Sequence, residues 1–386
     1  MKAIGIIIEY NPFHNGHMYH LEEIKKMFPE SIIIAVMSGH FMQRGEPSII
    51  NKWEKTRLAL LAGVDIVLEL PFFFSTQASD IFAHAAVSML NEMQVEAIVF
   101  GSETNDIKKL KKLAKTQLNT KGYEKKAKKY LKEGVNYPTA LNLALKDFAE
   151  DEVTSPNDIL GLSYIKEIIK NDFKIKPISI KRTNNYHSKK LSGKYVSATS
   201  IRKALKENVD IKNYVPKFTY DALKNNHLHF YDDYFSLLKY KIMTTSPLEF
   251  KKYLGVDEGI ENRLIKEIIN VSELEDYIQK IKTKRYTYNR IRRMLTHILV
   301  GLKKDIATRK KDIEYLRVLG LSEKGKIYLK KIKKETSVPI ITDIKKIDSE
   351  ILNLELKATN CYVQVLTMEE AKVLIKKEYN KKPIMK

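Results

Sequence analysis

The sequence predicts an α/β protein in which a doubly wound parallel sheet is followed by a mostly helical, basic C-terminal domain. Short runs of apolar and β-branched residues alternate with helical patterns through the first half of the chain. Uninterrupted apolar runs are typical of parallel strands that helices cover on both faces. Right-handed crossovers between such strands give a doubly wound sheet. From about residue 208 the alternation stops and helical patterns dominate.

Each strand is predicted from an apolar run, and each helix from apolar residues that recur at helical spacing. The predicted strands are residues 3–8, 31–37, 65–69, 96–100 and 175–181. The predicted helices of the first half are 17–28, 51–62 and 76–92, with lysine-rich helices over 106–149. Later helical patterns cover 231–242, 260–283, 288–303, 321–335 and 343–380, with one extended piece at Val338–Ile341. We therefore expect two domains, 1–207 with an insertion at about 106–149, and 208–386.

The composition points to a polyanionic partner. The 386 residues include 68 Lys and Arg against 47 Asp and Glu, a formal net charge of +21. A lysine-rich proteome explains Lys in place of Arg but leaves the imbalance of charge unexplained, so nucleic acid is the simplest partner. The single cysteine, Cys361, excludes an intramolecular disulfide and a cysteine-based zinc site. No apolar window reaches the length of a membrane span, so we expect a cytoplasmic protein without a membrane partner.

The most informative segment is the turn that follows the first predicted strand. Ala3–Ile8 is succeeded by Glu-Tyr-Asn-Pro-Phe and then by His14-Asn-Gly16-His17, where a helical pattern begins. A helix N-terminus attracts anions through its free N–H groups and its dipole. Two imidazoles at that point predict a phosphate site that neutralises charge as it develops. The alternatives are two surface histidines or, because the two are three residues apart, a pair of metal ligands. The turn at Gly16 favours phosphate, and the other histidines show no metal-ligand spacing, so we predict no metal site.

A second motif precedes a helix later in the first half. Ser197-Ala-Thr199-Ser200-Ile-Arg202 follows the last predicted strand, and its hydroxyl and N–H groups are suited to hold phosphates. The alternative is an ordinary helix cap made by a serine or threonine. Because ligands of doubly wound sheets bind at the carboxyl ends of the strands, we expect several strand ends to form one crevice with these motifs.

These motifs carry a resemblance to known families. The H-x-G-H pattern resembles that of the HIGH-type nucleotidyltransferases, and nearly the full chain resembles the bacterial tRNA(Met) cytidine acetate ligase family. The resemblance rests on Gly5–His20, Met37–Pro47, Ser155–Tyr164 and Ser197–Arg202. It implies a HIGH-type, Rossmann-like ATP-binding catalytic domain at 1–207 and a tRNA-binding domain at 208–386. The implied reaction activates acetate as acetyl-adenylate and acetylates N4 of the wobble cytidine of elongator tRNA(Met).

The resemblance also implies roles for particular residues. His14 and His17 are the expected catalytic residues. The expected ATP-binding residues, including those of the second motif, are Ile7, Ile8, Glu9, Tyr10, Asn11, Pro12, Phe13, His14, Asn15, Gly16, His17, Met18, Tyr19, His20, Gly101, Asn157, Arg182, Ser197, Thr199 and Ser200. The expected acetate and cytidine pocket contains Ser38, Gly39 and Arg44. Magnesium is expected to bridge ATP oxygens, although no acidic cluster in the sequence identifies its ligands.

The expected tRNA contacts follow from charge. Arg290, Arg292 and Arg293 form a basic cluster in a predicted helix, and the alternative is that they pair with carboxylates inside the domain. The lysines of 106–149 are equally consistent with a solvated face and with a nucleic-acid surface. Two other functions share parts of this pattern, namely a small-molecule adenylyltransferase of cofactor biosynthesis and a non-catalytic RNA-binding protein.

Overall fold

A single sheet runs through the computed structural model, which describes residues 1–149, 151–182, 195–380 and 382–386. Its strands are β1 (Ala3–Ile8), β2 (Ile32–Ser38), β3 (Ile66–Leu70), β4 (Ala97–Ser102), β5 (Lys176–Lys181), β6 (Leu316–Leu321), β7 (Ile340–Ile341) and β8 (Ile384–Met385). The order across the sheet is β5-β4-β1-β2-β3-β6-β7, and β8 pairs with β6. Strands β1 to β5 are mutually parallel, as predicted, and their bounds lie within two residues of the predicted ones.

Helices surround this sheet, and both halves of the chain supply them. Those of the first half are α1 (Asn15–Met27), α2 (Lys52–Ala62), α3 (Phe72–Ser75), α4 (Ser79–Glu92), α5 (Ile107–Asn119), α6 (Tyr123–Lys132), α7 (Tyr137–Ala149), α8 (Pro156–Lys170) and α9 (Ala198–Lys206). Those that follow are α10 (Lys217–Asn225), α11 (Phe235–Thr244), α12 (Pro247–Phe250), α13 (Ile260–Ile268), α14 (Leu274–Ile281), α15 (Tyr288–Val300), α16 (Lys304–Arg309), α17 (Glu323–Ile332), α18 (Glu350–Tyr362) and α19 (Met368–Asn380). Among the helices of the described residues, none is long and apolar enough to cross a bilayer.

Local sequence explains where the central elements begin and end. Every residue of β2 and β3 is buried, as expected of strands that are covered on both faces. Helix α2 begins at Lys52 because the side chain of Asn51 accepts the N–H groups of Trp53 (3.1 Å) and Glu54 (3.0 Å). The carboxyl ends of the parallel strands consequently meet at one edge of the sheet, from which α1 and α2 lead away.

The later half of the chain contains more strand than predicted, because the sequence indicated only one extended piece there, Val338–Ile341, which includes β7. Leu316–Leu321 is a fully buried strand that pairs antiparallel with β3, with Arg317 opposite Glu69. The predicted helix 260–283 is divided into α13 and α14. The two predicted domains therefore share one sheet, because residues beyond 208 supply β6, β7 and β8. The fold class is confirmed, and the position of the domain boundary stays a prediction.

Five charged side chains form a buried ion cluster where the later elements meet the sheet. The ammonium of Lys52 lies 2.6 Å from Glu69, 3.1 Å from Glu355 and 2.9 Å from Glu378. The guanidinium of Arg317 lies 2.8 Å from both Glu69 and Glu378. No side chain of the cluster is more than 4% exposed. The cluster joins α2, β3, β6, α18 and α19, so it fastens both halves of the chain together.

The cluster holds one more acid than base. Burial, together with the neighbouring charge of Glu69, raises the pKa of Glu355 to about 8, so this carboxyl is protonated at neutral pH. Burial opposes the ionisation of Glu69, but the charges of Lys52 and Arg317 outweigh it and lower the pKa of Glu69. Because Glu355 is protonated, the surplus acid adds no negative charge to the buried cluster.

We expect Lys52→Met to destabilise the protein strongly, because it leaves the carboxylates of the cluster with a single cation. Breaking a buried ion pair on one side costs about 3–5 kcal/mol of the free energy of unfolding. Urea denaturation followed by circular dichroism measures the change. Lys26→Met is the matched control, since Lys26 pairs with Glu23 at an exposed position of α1 and its loss should leave the midpoint unchanged. Equal midpoints for the two variants would contradict the role of the cluster.

Candidate active site

The predicted site residues of the first motif lie where β1 turns into α1. His14 is the N-cap of α1, and its Nδ1 accepts the N–H of Gly16 at 3.1 Å. The N–H of His14 in turn donates to Nδ1 of His17 at 3.2 Å, and the two rings stack with centroids 3.7 Å apart. Because both Nδ1 atoms accept hydrogen bonds, each neutral ring carries its proton on Nε2. Among the described residues neither Nε2 has a partner, so both are available to donate to a ligand.

The histidines at this turn are neutral. Burial and the nearby charge of Arg182 lower the pKa of His14 to about 3, and burial and the neighbouring His14 lower that of His17 well below its ordinary value. Burial and Arg182 also lower the pKa of His20 to about 4. The sequence predicted a pair that neutralises charge. The lowered pKa values instead make the pair two uncharged N–H donors, and Arg182 supplies the positive charge beside them.

Three further predicted residues lie together beside this turn. Arg182 follows β5, and its N–H donates to the carbonyl of Ser102 at 2.9 Å. Its guanidinium donates to Oδ1 of Asn157, at the start of α8, at 3.2 Å. A Cβ on Gly101 would lie 3.3 Å from Cγ of Arg182, so glycine leaves room for this side chain. The ends of β1, β4 and β5 thus hold two N–H donors, an amide and a guanidinium in one place.

The second motif forms the helix cap that the sequence left as an alternative. Oγ of Ser197 accepts the N–H of Ser200 at 3.1 Å and lies 2.8 Å from Oγ of Ser200, and both serines are buried. Thr199 is exposed in the same turn. The ATP-binding roles of these residues stay predictions, with the exposed Thr199 the best placed of the three for a ligand.

An ion pair that sequence reasoning missed joins this motif to the loop after β2. The guanidinium of Arg202 donates to the carbonyl of Asn11 at 2.7 Å and to Glu46 at 2.7 Å. Arg292 of α15 pairs with the other oxygen of Glu46 at 3.0 Å. The partners are 156 and 246 residues from Glu46, so no local pattern in the sequence reveals them. Glu46 thereby fixes the first motif, the second motif and α15 to one another.

The predicted tRNA-binding arginines of α15 differ in their surroundings. Arg292 pairs with the carboxylate of Glu46 inside the protein, which is the alternative to RNA contact that the sequence left open. Arg290 lies over the ring of Tyr286, with 4.0 Å between the guanidinium carbon and the ring centre. Burial and the neighbouring Arg290 lower the pKa of Arg293 to about 10. Arg290 and Arg293 are therefore the stronger candidates for contact with RNA, and that role stays a prediction.

Of the predicted acetate and cytidine residues, Arg44 lies beside α15, whereas Ser38 and Gly39 lie at the end of β2. Gly45 has φ +76°, and a Cβ there would lie 2.5 Å from the backbone nitrogen of Arg293, so the loop and the helix touch through their backbones. Arg44 is half-buried beside this contact. The carbonyl of Ser38 accepts the ammonium of Lys55 at 2.8 Å. A Cβ on Gly39 would lie 2.8 Å from Oε1 of Glu355, so Gly39 is explained by packing on the buried ion cluster.

The acidic residues at this edge give no ready metal site. Across residues 1–149, 151–182, 195–380 and 382–386, no group of three or more His, Cys, Asp and Glu side chains is arranged to hold a metal ion. The three carboxyls of the buried ion cluster are held by Lys52 and Arg317. A divalent ion at this site would depend on the oxygens of a bound nucleotide for most of its ligands.

Comparison with known proteins places this geometry among nucleotide-using enzymes. A family model described as HIGH Nucleotidyl Transferase matches residues 1–377. The tRNA(Met) cytidine acetate ligase of Geobacillus sp. (strain WCH70) is 41% identical over 400 residues and covers 100% of both chains. The Bacillus subtilis (strain 168) protein of the same name is 39% identical over 381 residues, covering 94% of this chain and 92% of its own.

Solved structures show the same likeness. The apo crystal structure of Thermotoga maritima TmcAL has a TM-score of 0.93 and 31% identity, and covers 100% of this chain and 99% of that one. The crystal structure of the same protein bound with alpha-thio ATP has a TM-score of 0.90 at the same identity and coverage. The fold is therefore shared along the whole chain.

We expect the pKa of His14 to lie below that of an ordinary histidine and the pKa of His84 to lie above it. His14 should stay neutral from pH 8 to pH 5, because its pKa is lowered to about 3. His84 should protonate above its ordinary value of 6.5, because hydrogen bonding to Glu167 raises its pKa. Nitrogen-15 NMR of the two imidazoles measures both, with ring signals assigned from single His→Gln variants. Protonation of His14 near pH 6.5 would contradict the buried, Nε2-protonated pair.

Proposed function

The chain belongs to the tRNA(Met) cytidine acetate ligase family of HIGH nucleotidyltransferases, and we propose that it makes N4-acetylcytidine at the wobble position of elongator tRNA(Met) from acetate and ATP. The observation that carries the proposal is the stacked pair of His14 and His17 beside Arg182, at the carboxyl end of a parallel sheet. We expect the reaction in the cytoplasm, where tRNA is available.

The first step activates acetate. An acetate oxygen attacks the α-phosphorus of ATP, a new P–O bond forms, and the bond to pyrophosphate breaks with its electron pair leaving on pyrophosphate. The Nε2–H groups of His14 and His17 donate to phosphate oxygens as negative charge develops, and Arg182 attracts the same charge. Positioning and charge stabilisation are the main contributions that a protein makes to this type of displacement.

Magnesium fits this step only in a limited way. When bound, it would neutralise charge on the ATP phosphates. The described residues offer no preformed group of acidic ligands, so the nucleotide oxygens would supply most of the ligands of the ion. The work of the chain itself is to present the two N–H donors and the guanidinium in fixed positions.

The second step transfers acetyl to the tRNA. N4 of cytosine attacks the acetyl carbonyl carbon, and the bond to AMP breaks. A stacked base in the anticodon loop must be splayed out to reach the crevice. The loop after β2 and helix α15, which meet at Gly45, form the side of the crevice where we expect the base and its neighbouring phosphates.

The deciding experiment incubates the protein with tRNA(Met), ATP and labelled acetate, and analyses nucleosides by mass spectrometry. Labelled N4-acetylcytidine supports the proposal. Exchange of pyrophosphate into ATP without acetate, but with another small substrate, would favour a cofactor adenylyltransferase. Binding of tRNA without any exchange would indicate a non-catalytic RNA-binding protein.

We expect His14→Ala and His17→Ala each to slow acetate-dependent ATP–pyrophosphate exchange by about a hundred- to a thousandfold, the usual cost of losing one such donor. His227→Ala is the matched control, because this histidine is exposed and belongs to neither motif. Circular dichroism checks that each variant folds. Near-normal exchange in both motif variants would refute the assignment of the pair.

Charge reversal of Arg290 and Arg293 together should weaken tRNA binding. The slope of log affinity against log salt concentration should become less steep, by the amount that corresponds to about one to two phosphate contacts. Adenylate formation from acetate and ATP should change much less, because it needs no RNA. Lys111→Glu with Lys115→Glu, on the lysine-rich α5, is the comparison variant. If only the lysine pair alters affinity and salt slope, the RNA surface lies on the insertion and not on α15.

A further inference from the structure

The carboxyl edge of the sheet is divided into two halves by the end of β1. On the side of β4 and β5 lie His14 and Arg182, which we assign to the nucleotide. On the side of β2 lie the loop 38–47 and α15. Glu9, which the resemblance assigns to ATP binding, is the first residue after β1. Its carboxyl turns towards the second half, because Oε1 accepts the N–H of Gln43 at 2.6 Å and lies 3.5 Å from Oγ of Ser38.

Glu9 differs from its acidic neighbours in having an unengaged oxygen. Glu46 is bound on both oxygens by arginines, and Glu103 accepts from Asn157 and from the backbone of Asp158. Asp158 accepts from Ser102 and from the backbone of Thr104, and Glu69 belongs to the buried ion cluster. Oε2 of Glu9, by contrast, has no hydrogen bond to any of the described residues. Glu9 is partly buried, so Oε2 is the carboxyl oxygen that we take to be left for a ligand.

We propose that Glu9 is the catalytic base of acetyl transfer, which accepts the proton of cytosine N4 as this nitrogen attacks acetyl-adenylate. The inference rests on the proposed function. In this step the N4–carbonyl carbon bond forms and the carbon–oxygen bond to AMP breaks, with its electron pair leaving on the AMP phosphate. One N4 proton passes to Oε2 of Glu9. No other reactant is needed.

The chemistry of cytosine favours a carboxylate at this position. The lone pair of N4 is delocalised into the ring, so N4 becomes an effective nucleophile only as it loses a proton, which is the task of a general base. A carboxylate is also the side chain that accepts from N4 in base recognition. Uridine would instead direct its O4 at Glu9, and the two electronegative oxygens would repel each other. Glu9 therefore selects cytidine with the same oxygen that removes the proton.

The surroundings of Glu9 hold it in place and increase its basicity. The ammonium of Lys55 donates to the carbonyls of Glu9 (3.1 Å) and Ser38 (2.8 Å), which fixes the end of β1 to the end of β2. Burial raises the pKa of Glu9, an effect that the N–H of Gln43 and the charge of Lys55 offset only in part. A carboxylate of raised pKa is a better proton acceptor near neutral pH.

Glu9→Gln tests the inference, because glutamine keeps an oxygen for the N–H of Gln43 but loses the negative charge and the ability to take a proton. Two reactions are compared in each variant. The first is single-turnover transfer of acetyl to tRNA(Met). The second is acetohydroxamate formation from acetate, ATP and hydroxylamine, a strong nucleophile that traps acetyl-adenylate without a base. We expect transfer to fall at least about a hundredfold, the low end for loss of a general base, and hydroxamate formation to fall far less.

Two further variants keep the test decisive. Glu9→Asp retains a carboxylate and should recover part of the transfer rate even if Glu9→Gln folds poorly. Glu207→Gln makes the same chemical change at an exposed residue of the Lys203–Glu207 pair and should leave both reactions as they are. Equal losses of transfer and hydroxamate in Glu9→Gln, or normal transfer, would overturn the assignment. If the unmodified chain forms no acetate-dependent hydroxamate, the proposed function itself fails, which is a distinct result.

Discussion

The buried ion cluster is the constraint on which the rest of the structure depends. Charges taken out of water are costly unless every partner is present and well placed. Here the partners come from α2, β3, β6, α18 and α19, so the cluster is satisfied only when elements from both ends of the chain have assembled. Arg317 lies opposite Glu69 in the β3–β6 ladder, and this pairing favours one register of a strand that is otherwise apolar.

The cluster also affects the loop after β2, which packs on it at the edge of the sheet. Gly39 passes directly over the carboxyl of Glu355, and the chain then forms the loop that reaches α15 at Gly45. Within that loop Glu46 binds Arg202 from one direction and Arg292 from the other. Arg202 in turn holds the carbonyl of Asn11 in the first motif. The nucleotide side and the proposed RNA side of the crevice are thus connected through a short series of buried charged contacts.

What the sequence could reveal follows from the range of each interaction. Strands β1 to β5 and the turn at His14 are encoded by adjacent residues, since an apolar run and a helix start are local patterns. Strand β6 is not, because it contains an arginine whose partners Glu69 and Glu378 lie far along the chain, and an isolated apolar run of this length is ambiguous. The ion pairs of Glu46 could not be predicted for the same reason, although Arg202 and Arg292 belong to segments for which the sequence predicted a function.

In the role proposed for it, the histidine pair is neutral before ATP binds and would still favour the transition state. Burial disfavours the charged imidazolium before ATP binds. Polyphosphate brought within hydrogen-bond distance adds negative charge, which favours the positive form and strengthens each Nε2–H donor. The stabilisation that these donors provide increases as negative charge builds up on the α-phosphate. It is therefore larger in the transition state than in the bound substrate. A permanently charged pair would also bind the phosphates of the substrate strongly, so part of its energy would be lost to ground-state binding.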